Sequence, residues 1–570
     1  MKIGGRTVNN ALFSALGGLL PLPLTFICWP YIVSQLGDSS YGILALVGTV
    51  IGYFALLDLG MGQSVVKYIS EYTGRNDARL TRETAEVSFT IFMTAGLLGS
   101  LAILCISRLM ATRILNIPDN LVNTAYIAFN IASLGFIFTM LMNLFTSIAN
   151  GLNRYDISST AMLIVGIATP VLSVVLLRLG FGLTQLVWLN VTLPALTLIG
   201  YGIIVRRLLP CMKFRFTWNP SLTKRILTFG MYSMLSRIGD IIMRQAAPLI
   251  IGSMLSVASV TYYIIPFTIL NKLATLVMRT GMVIFPAVSE LNGQTRQNTI
   301  RELYLISSRI IISFSAAFII PLLIFGSRFL HLWMSPEFAE KSGPVLQIVT
   351  VGVFIDQFTN IPVFVVDGLG HPKISGLAAI VHSCIFLGVA IPGSMYFGVT
   401  GVAAAFTISA ISVSPFFIWY VNTRILKLHL RRLITESYIR PLSAGAITAL
   451  ILILVPQKQI NNLFLLLGVM GAGSLIYLVT ALIAGVYQQR ERQVLMDYIQ
   501  RITARFIPKL HKRNIYPEHQ EKEAADPHKM FEHRTTDENP SLSDAREKPL
   551  LKPKLRPSIN FLRINLRRDP

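Results

Sequence analysis

The sequence predicts an all-α integral membrane protein of about fourteen transmembrane helices, arranged as two parallel six-helix lobes plus two extra C-terminal helices. Three observations predict it. Only 14% of the 570 residues are charged and 53% are hydrophobic, against about 25% charged in an average soluble protein. Apolar runs follow one another along the chain, each near the ~20 residues that a helix needs to cross a bilayer core about 30 Å thick. The chain also resembles itself at a spacing of about 217 residues. A soluble chain of this length would form roughly three or four domains, and there is too little charge here to cover them. That excludes a soluble enzyme, a disordered protein and a nucleic-acid binder. The four cysteines, Cys28, Cys105, Cys211 and Cys384, are scattered without CxxC spacing and predict neither a disulfide framework nor a metal site.

Six spans are predicted in the first half, near 9–34, 41–69, 86–110, 121–150, 157–179 and 184–206. A basic stretch from Arg206 to Arg225 separates them from six more, near 226–252, 257–288, 303–333, 344–369, 374–396 and 399–423. A second basic stretch, Arg424 to Arg440, leads to two last spans near 441–456 and 462–487. The domain boundaries follow: 1–215 and 216–432 for the two lobes, 433–487 for helices thirteen and fourteen, and 488–570 for a cytoplasmic tail. The tail holds 18 Lys/Arg and 12 Asp/Glu with many prolines, a composition that predicts a short helix near 488–506 and then disorder.

Orientation is read from the loops. With the N-terminus inside, the inner loops before the tail carry 21 Lys/Arg and the outer loops 6. The excess places both termini in the cytoplasm of a multi-pass protein of the inner or plasma membrane. The net charge of +22 is therefore mostly a topology signal and not a nucleic-acid patch.

The repeat is carried by polar anchors. Gly151, Leu152, Ile157 and Ser158 in NGLNRYDISS pair with Gly368, Leu369, Ile374 and Ser375 in DGLGHPKISG at an offset of 217. FGLTQLV from Phe181 pairs with FGVTGVA from Phe397 at 216, and Ser70 and Glu71 pair with Ser289 and Glu290 at 219. Shared apolar composition would match Leu and Ile but not Gly, Ser and Glu at loops. A six-span unit is even-numbered, so both halves enter from the same face. Such repeats enclose a central cavity, with a transported ligand expected near midplane between them.

Charged side chains inside a bilayer are costly and mark functional sites. On span seven, Arg237, Asp240 and Arg244 share one helical face. Lys272 lies near the middle of span eight, with Arg279 seven residues on along the same face. Arg237, Arg244, Lys272 and Arg279 together suit an anionic ligand, with arginine fitted to phosphate. The competing reading is interhelical ion pairing or snorkelling, the latter applying best to Arg279, Arg309 and Lys67. Asp58, in LLDLGMG, reads equally as the cap of a helix break and as a carboxylate that takes up a proton or Na⁺. Asp240 and Asp356 are further intramembrane carboxylates of the same kind. His331 and His382 read as satisfied polar residues. No GxxxxGK[ST], HExxH or GxSxG occurs, so the expectation is a transporter without a cofactor and not an enzyme.

LLDLGMGQSVVKYISEYTGRND, FPAVSEL, ANGLNRYDISS and DGLGHPKISG resemble polysaccharide-biosynthesis flippases of the Wzx type. These belong to the multidrug/oligosaccharidyl-lipid/polysaccharide exporter superfamily. The resemblance covers about residues 1–487 and implies fourteen helices with a cationic cavity between two lobes. It implies flipping of an undecaprenyl-diphosphate-linked oligosaccharide to the outer leaflet, coupled to H⁺, Na⁺ or membrane potential. The implied partners are that lipid-linked oligosaccharide, the membrane lipids, and glycan-assembly proteins reached through the basic tail. A multidrug exporter of the same superfamily and a peptidoglycan-precursor flippase are the alternatives.

Overall fold

The structure, a computed structural model, describes residues 20–58, 60–209, 216–282 and 284–487, without the side chains of 232–237, 240 and 458. The expected tail, 488–570, lies outside the described residues. Every regular element described is helical. In order these are α1 (Pro21–Leu36), α2 (Asp38–Phe54), α3 (Met61–Gly74), α4 (Ala78–Leu109), α5 (Asp119–Gly151), α6 (Tyr155–Arg178), α7 (Leu183–Leu208) and α8 (Pro220–Met254). They continue with α9 (Val257–Gly281), α10 (Ile284–Gly293), α11 (Gln297–Trp333), α12 (Pro336–Gln357), α13 (Asn360–Gly368) and α14 (Pro372–Tyr420). Short α15 (Leu430–Leu433), α16 (Ile439–Ile453) and α17 (Leu463–Ile483) complete the set.

Helix starts follow local chemistry. Asp77, Asn219, Ser256, Ser335 and Asn462 each accept a backbone N–H of the first turn that follows. They satisfy donors that have no partner within the helix. Pro220 and Pro336 sit directly after their caps, where a missing N–H costs nothing.

Among the described residues, ten helical segments are long and apolar enough to cross a membrane. The difference from about fourteen has local causes. α1 is described over 16 residues and α16 spans 15. α8 is 35 residues long, and the apolar stretch counted among its described residues is Ile241–Met254. α14 runs on into the turn ending at Ile425 and holds two of the expected spans, folded back at Gly398 (φ 60°, ψ −138°). There Gly393 and Gly401 approach so closely that a Cβ on Gly401 would lie 1.9 Å from the Gly393 carbonyl oxygen.

Three spans are broken. The second is interrupted by a tight turn, Ala55–Asp58, and by Gly60 at φ +69° before α3 resumes. The eighth divides between α9 and α10, and the tenth between α12 and α13 at Phe358–Thr359. Pro362 explains the last break, because it has no N–H to give the carbonyl of Phe358.

The repeat reappears in the hydrogen bonds. Ser70 Oγ donates to the Gly151 carbonyl at 2.7 Å, and Ser289 Oγ donates to that of Gly368 at 3.1 Å. Ser158 Oγ donates to Asn150 Oδ1 at 2.8 Å, and Ser375 Oγ donates to Asp367 Oδ1 at 2.6 Å. The turns match too: Asn76 and Thr295 take φ of 56° and 55°. The polar anchors thus tie the end of α3 to that of α5, and α10 to α13.

The halves meet where α2 packs on α8 and α9, and α3 on α8. A Cβ on Gly42 would fall 1.8 Å from the Val257 carbonyl oxygen, so glycine is needed for α2 to meet the start of α9. Beside it Thr261 Oγ1 donates to the Asp38 carbonyl at 2.7 Å, and Tyr262 Oη donates to the Asp38 carboxylate. Lys341 Nζ donates to Tyr262 Oη at 3.1 Å and pairs with Glu337 at 2.8 Å.

Arg309 does not snorkel. It is 3% exposed, and its guanidinium donates to the Glu436 carbonyl at 3.4 Å. The second basic stretch folds back beneath α11, with Ser437 Oγ bonded to the Leu305 carbonyl at 2.8 Å. This covers the surface along which Arg309 would have reached water.

Candidate functional site

The break between α12 and α13 stands at the wall of a pocket of about 260 Å³. Its lining comes from α8 (Arg244), α9 (Phe267, Asn271), the α12–α13 span (Asp356, Gln357, Val363) and α14 (His382, Phe406). The sequence predicts a site between the halves, yet every lining residue of this pocket belongs to the second half. Irregular backbone at membrane depth is tolerated where it lines a cavity, and the break fits that rule. Thr359 Oγ1 closes the turn on the Asp356 carbonyl at 2.7 Å.

The polar groups are held individually. Arg244 is exposed and donates to Asn271 Oδ1 at 2.8 Å. Gln357, 3% exposed, accepts from Asn360 Nδ2 at 2.7 Å, which leaves its amide nitrogen as a donor. His382 Nε2 is buried without a hydrogen-bond partner. Ser383 Oγ, one residue on, donates to the Gly239 carbonyl at 2.8 Å and fixes α14 on α8. Phe267 and Phe406 meet edge to face with ring centroids 5.8 Å apart and close the pocket's apolar side.

Of the site residues read from sequence, Arg244 and Asp356 are brought together at this pocket. Lys272 follows Asn271 on α9, is exposed, and does not line it. Arg279 lies eight residues beyond Asn271, about 12 Å along the helix, near the break that ends α9. Arg237 and Asp240 fall on α8, but their side chains lie outside the described residues. Asp58 is in the first half, 9% exposed, and accepts the Gly62 N–H at 3.1 Å. Asn271, Gln357 and His382 were missed because neutral polar residues carry no charge signal in an apolar run. His382, expected to be satisfied, is the one with an unpartnered buried nitrogen.

The family model "Polysaccharide biosynthesis protein" matches residues 7–292, just over half of the chain. A Shigella flexneri protein named "Putative O-antigen transporter" is 19% identical over 406 residues, covering 71% of this chain and 95% of that protein. Among solved structures, an inward-facing multidrug resistance MATE family transporter matches with a TM-score of 0.63 at 17% identity, over 73% of this chain and 99% of its own. The lipid II flippase MurJ in its inward closed conformation gives 0.62 at 15% identity, over 84% and 98%. These two likenesses establish a shared transporter fold. The family match places the chain: it belongs to the polysaccharide biosynthesis protein family.

Proposed function

We propose that this chain flips a polyprenyl-diphosphate-linked oligosaccharide from the inner to the outer leaflet of the cell membrane, by alternating access, for surface polysaccharide synthesis. The observation that carries the reading is Arg244, an arginine within a membrane-spanning half, held by Asn271 at a pocket that it lines together with Asp356, Gln357 and His382. A diphosphate is the ligand for which a guanidinium at that depth is suited. The family match and the Shigella relative support the same substrate class. Arg237, Arg244, Lys272 and Arg279 are assigned to the diphosphate, and Asp58, Asp240 and Asp356 to coupling with H⁺ or Na⁺. The two six-helix lobes, 1–215 and 216–432, move against each other. Helices within 433–487 stay at the side, both termini face the cytoplasm, and glycan-assembly proteins meet the tail.

The test is surface polysaccharide in cells whose only copy of the gene carries Arg244→Ala or Lys272→Ala. Losing a charge-assisted contact predicts about tenfold less export or lower, at unchanged protein level. Full export by both variants would reject the cationic site. A strain lacking the gene should keep its resistance to cationic drugs, which separates this reading from a multidrug exporter.

A further inference from the structure

We propose that the linker between α14 and α16 is a binding site for anionic phospholipid of the cytoplasmic leaflet. It is independent of what the chain transports and takes from the preceding reading only the side on which the linker lies.

Residues 424–440 join two apolar helices, so they lie at the membrane surface between two crossings. α11 holds them from beneath through Arg301, Leu305 and Arg309, which at a spacing of four share one helical face. Arg301 Nε donates to the Leu426 carbonyl at 2.7 Å. The Leu305 carbonyl accepts Ser437 Oγ at 2.8 Å, and Arg309 donates to the Glu436 carbonyl at 3.4 Å. Leu426, Leu428, Leu433 and Tyr438 are buried against this support. The outward side is basic, with Arg424, Lys427, Arg431 and Arg432 exposed. Arg432 is neutralised by Glu436 at 2.7 Å. Among the described residues, the side chains of Arg424, Lys427 and Arg431 meet no carboxylate.

Lys427 is the informative member. Its φ is +50°, in the left-handed region that a long side chain rarely occupies. The conformation is imposed by its neighbours. The Leu428 N–H donates to the Asn422 carbonyl at 2.8 Å, and Asn422 Nδ2 donates back to the Leu428 carbonyl at 3.4 Å. With Leu426 and Leu428 both buried, the lysine between them is turned outward. A topology signal needs cytoplasmic charge but no fixed position. Backbone strain that presents one particular lysine is what a ligand contact requires.

The ligand follows from the chemistry of the patch. Three uncompensated cations within eight residues suit a phosphodiester, arginine as a planar fork and lysine as a point charge. Ile434 and Ile439 are exposed where the chain enters α16. They offer an acyl chain apolar surface that a free phosphate would not use. A zwitterionic headgroup brings its own ammonium to a patch that is already positive. An anionic phospholipid satisfies both parts, at about a fivefold gain in binding for each Lys or Arg.

The experiment is native mass spectrometry of the full-length protein in detergent, titrated with phosphatidylglycerol or with phosphatidylcholine of the same acyl chains. The expected result is a preference of about tenfold or more for phosphatidylglycerol in the first lipid bound. Replacing Arg424, Lys427 and Arg431 together by Gln should remove most of that preference and leave phosphatidylcholine binding unchanged. Arg296→Gln, which takes a cation from another inner loop, should leave it intact. Lys427→Gly separates ligand contact from folding. Glycine accepts the left-handed backbone, so the melting temperature should hold or rise while phosphatidylglycerol affinity falls about fivefold. Equal retention of the two lipids by the unaltered protein would overturn the proposal. So would a preference that persists in both the triple variant and Lys427→Gly. Loss of undecaprenyl diphosphate binding in the triple variant would assign the linker to the carrier lipid and would overturn it as well. The flippase reading is tested by export and stands apart from this binding.

Discussion

Single residues decide which of two roles a membrane carboxylate plays, and Asp58 is the clearest case. Its carboxylate accepts the Gly62 N–H at 3.1 Å just after the second span breaks. That is capping geometry, and Asp58→Ala should cost about 1 kcal/mol of stability. Asp58→Asn keeps the acceptor and should restore the melting temperature measured in detergent. If Asp58 also couples an ion, Asp58→Asn will unfold normally yet fail to export polysaccharide, so stability and export assays on one pair of variants separate the roles. The charged members of the second-half pocket, Arg244 and Asp356, were legible because charge is rare in an apolar run. Asn271, Gln357 and His382 were not, since what singles them out is convergence from three different spans. Arg309 was misread for a related reason: its distance from the span end favoured snorkelling, and the covering linker is a tertiary feature.

Elements show their starts plainly and their interruptions poorly. Caps such as Asn219–Pro220 and Ser335–Pro336 can be read from two residues. The break between α12 and α13 needs Pro362 to be read together with the turn that Thr359 closes on Asp356, and proline kinks are too common in membrane helices to single one out. If the break serves the pocket, Pro362→Ala should let the helix run on through Phe358. The substitution removes a residue that disfavours a helix interior by about 3 kcal/mol. The expected outcome is a raised melting temperature with reduced export; unchanged export would mean that the break is incidental. Gly42 makes the matching point for packing between halves. With a Cβ only 1.8 Å from the Val257 carbonyl oxygen, Gly42→Ala should force α2 away from α9. A disulfide engineered between Asn116→Cys and Ser253→Cys, positions now joined by a hydrogen bond of 2.9 Å, should then form more slowly.

Over the whole molecule, the repeat is the feature the sequence displays best, and it carries a prediction about topology. Polar anchors at offsets of 217 and 219 recur as equivalent hydrogen bonds and turns in both halves. Equivalent wiring alone does not orient the halves in a membrane. A six-span unit does, because an even number of crossings returns the chain to the face from which it started. Arg154 and His371 are the exposed equivalents that follow Asn153 (φ 57°) and Gly370 (φ 86°) in the two halves. Among the described residues Arg154 pairs with Asp156 at the surface, at 2.9 Å, so replacing it should cost under about 1 kcal/mol. In a background with the four native cysteines changed to serine, Arg154→Cys and His371→Cys should both resist a membrane-impermeant maleimide in intact cells. Both should react once the membrane is opened. A cysteine at Lys458, from one of the sparsely basic loops, should react in intact cells. Labelling of Arg154→Cys and His371→Cys from opposite sides would mean an inverted repeat and would remove the parallel two-lobe architecture. Labelling of both from outside would keep the architecture and reverse the orientation, and the excess of Lys and Arg in alternate loops would then need a cause other than the membrane.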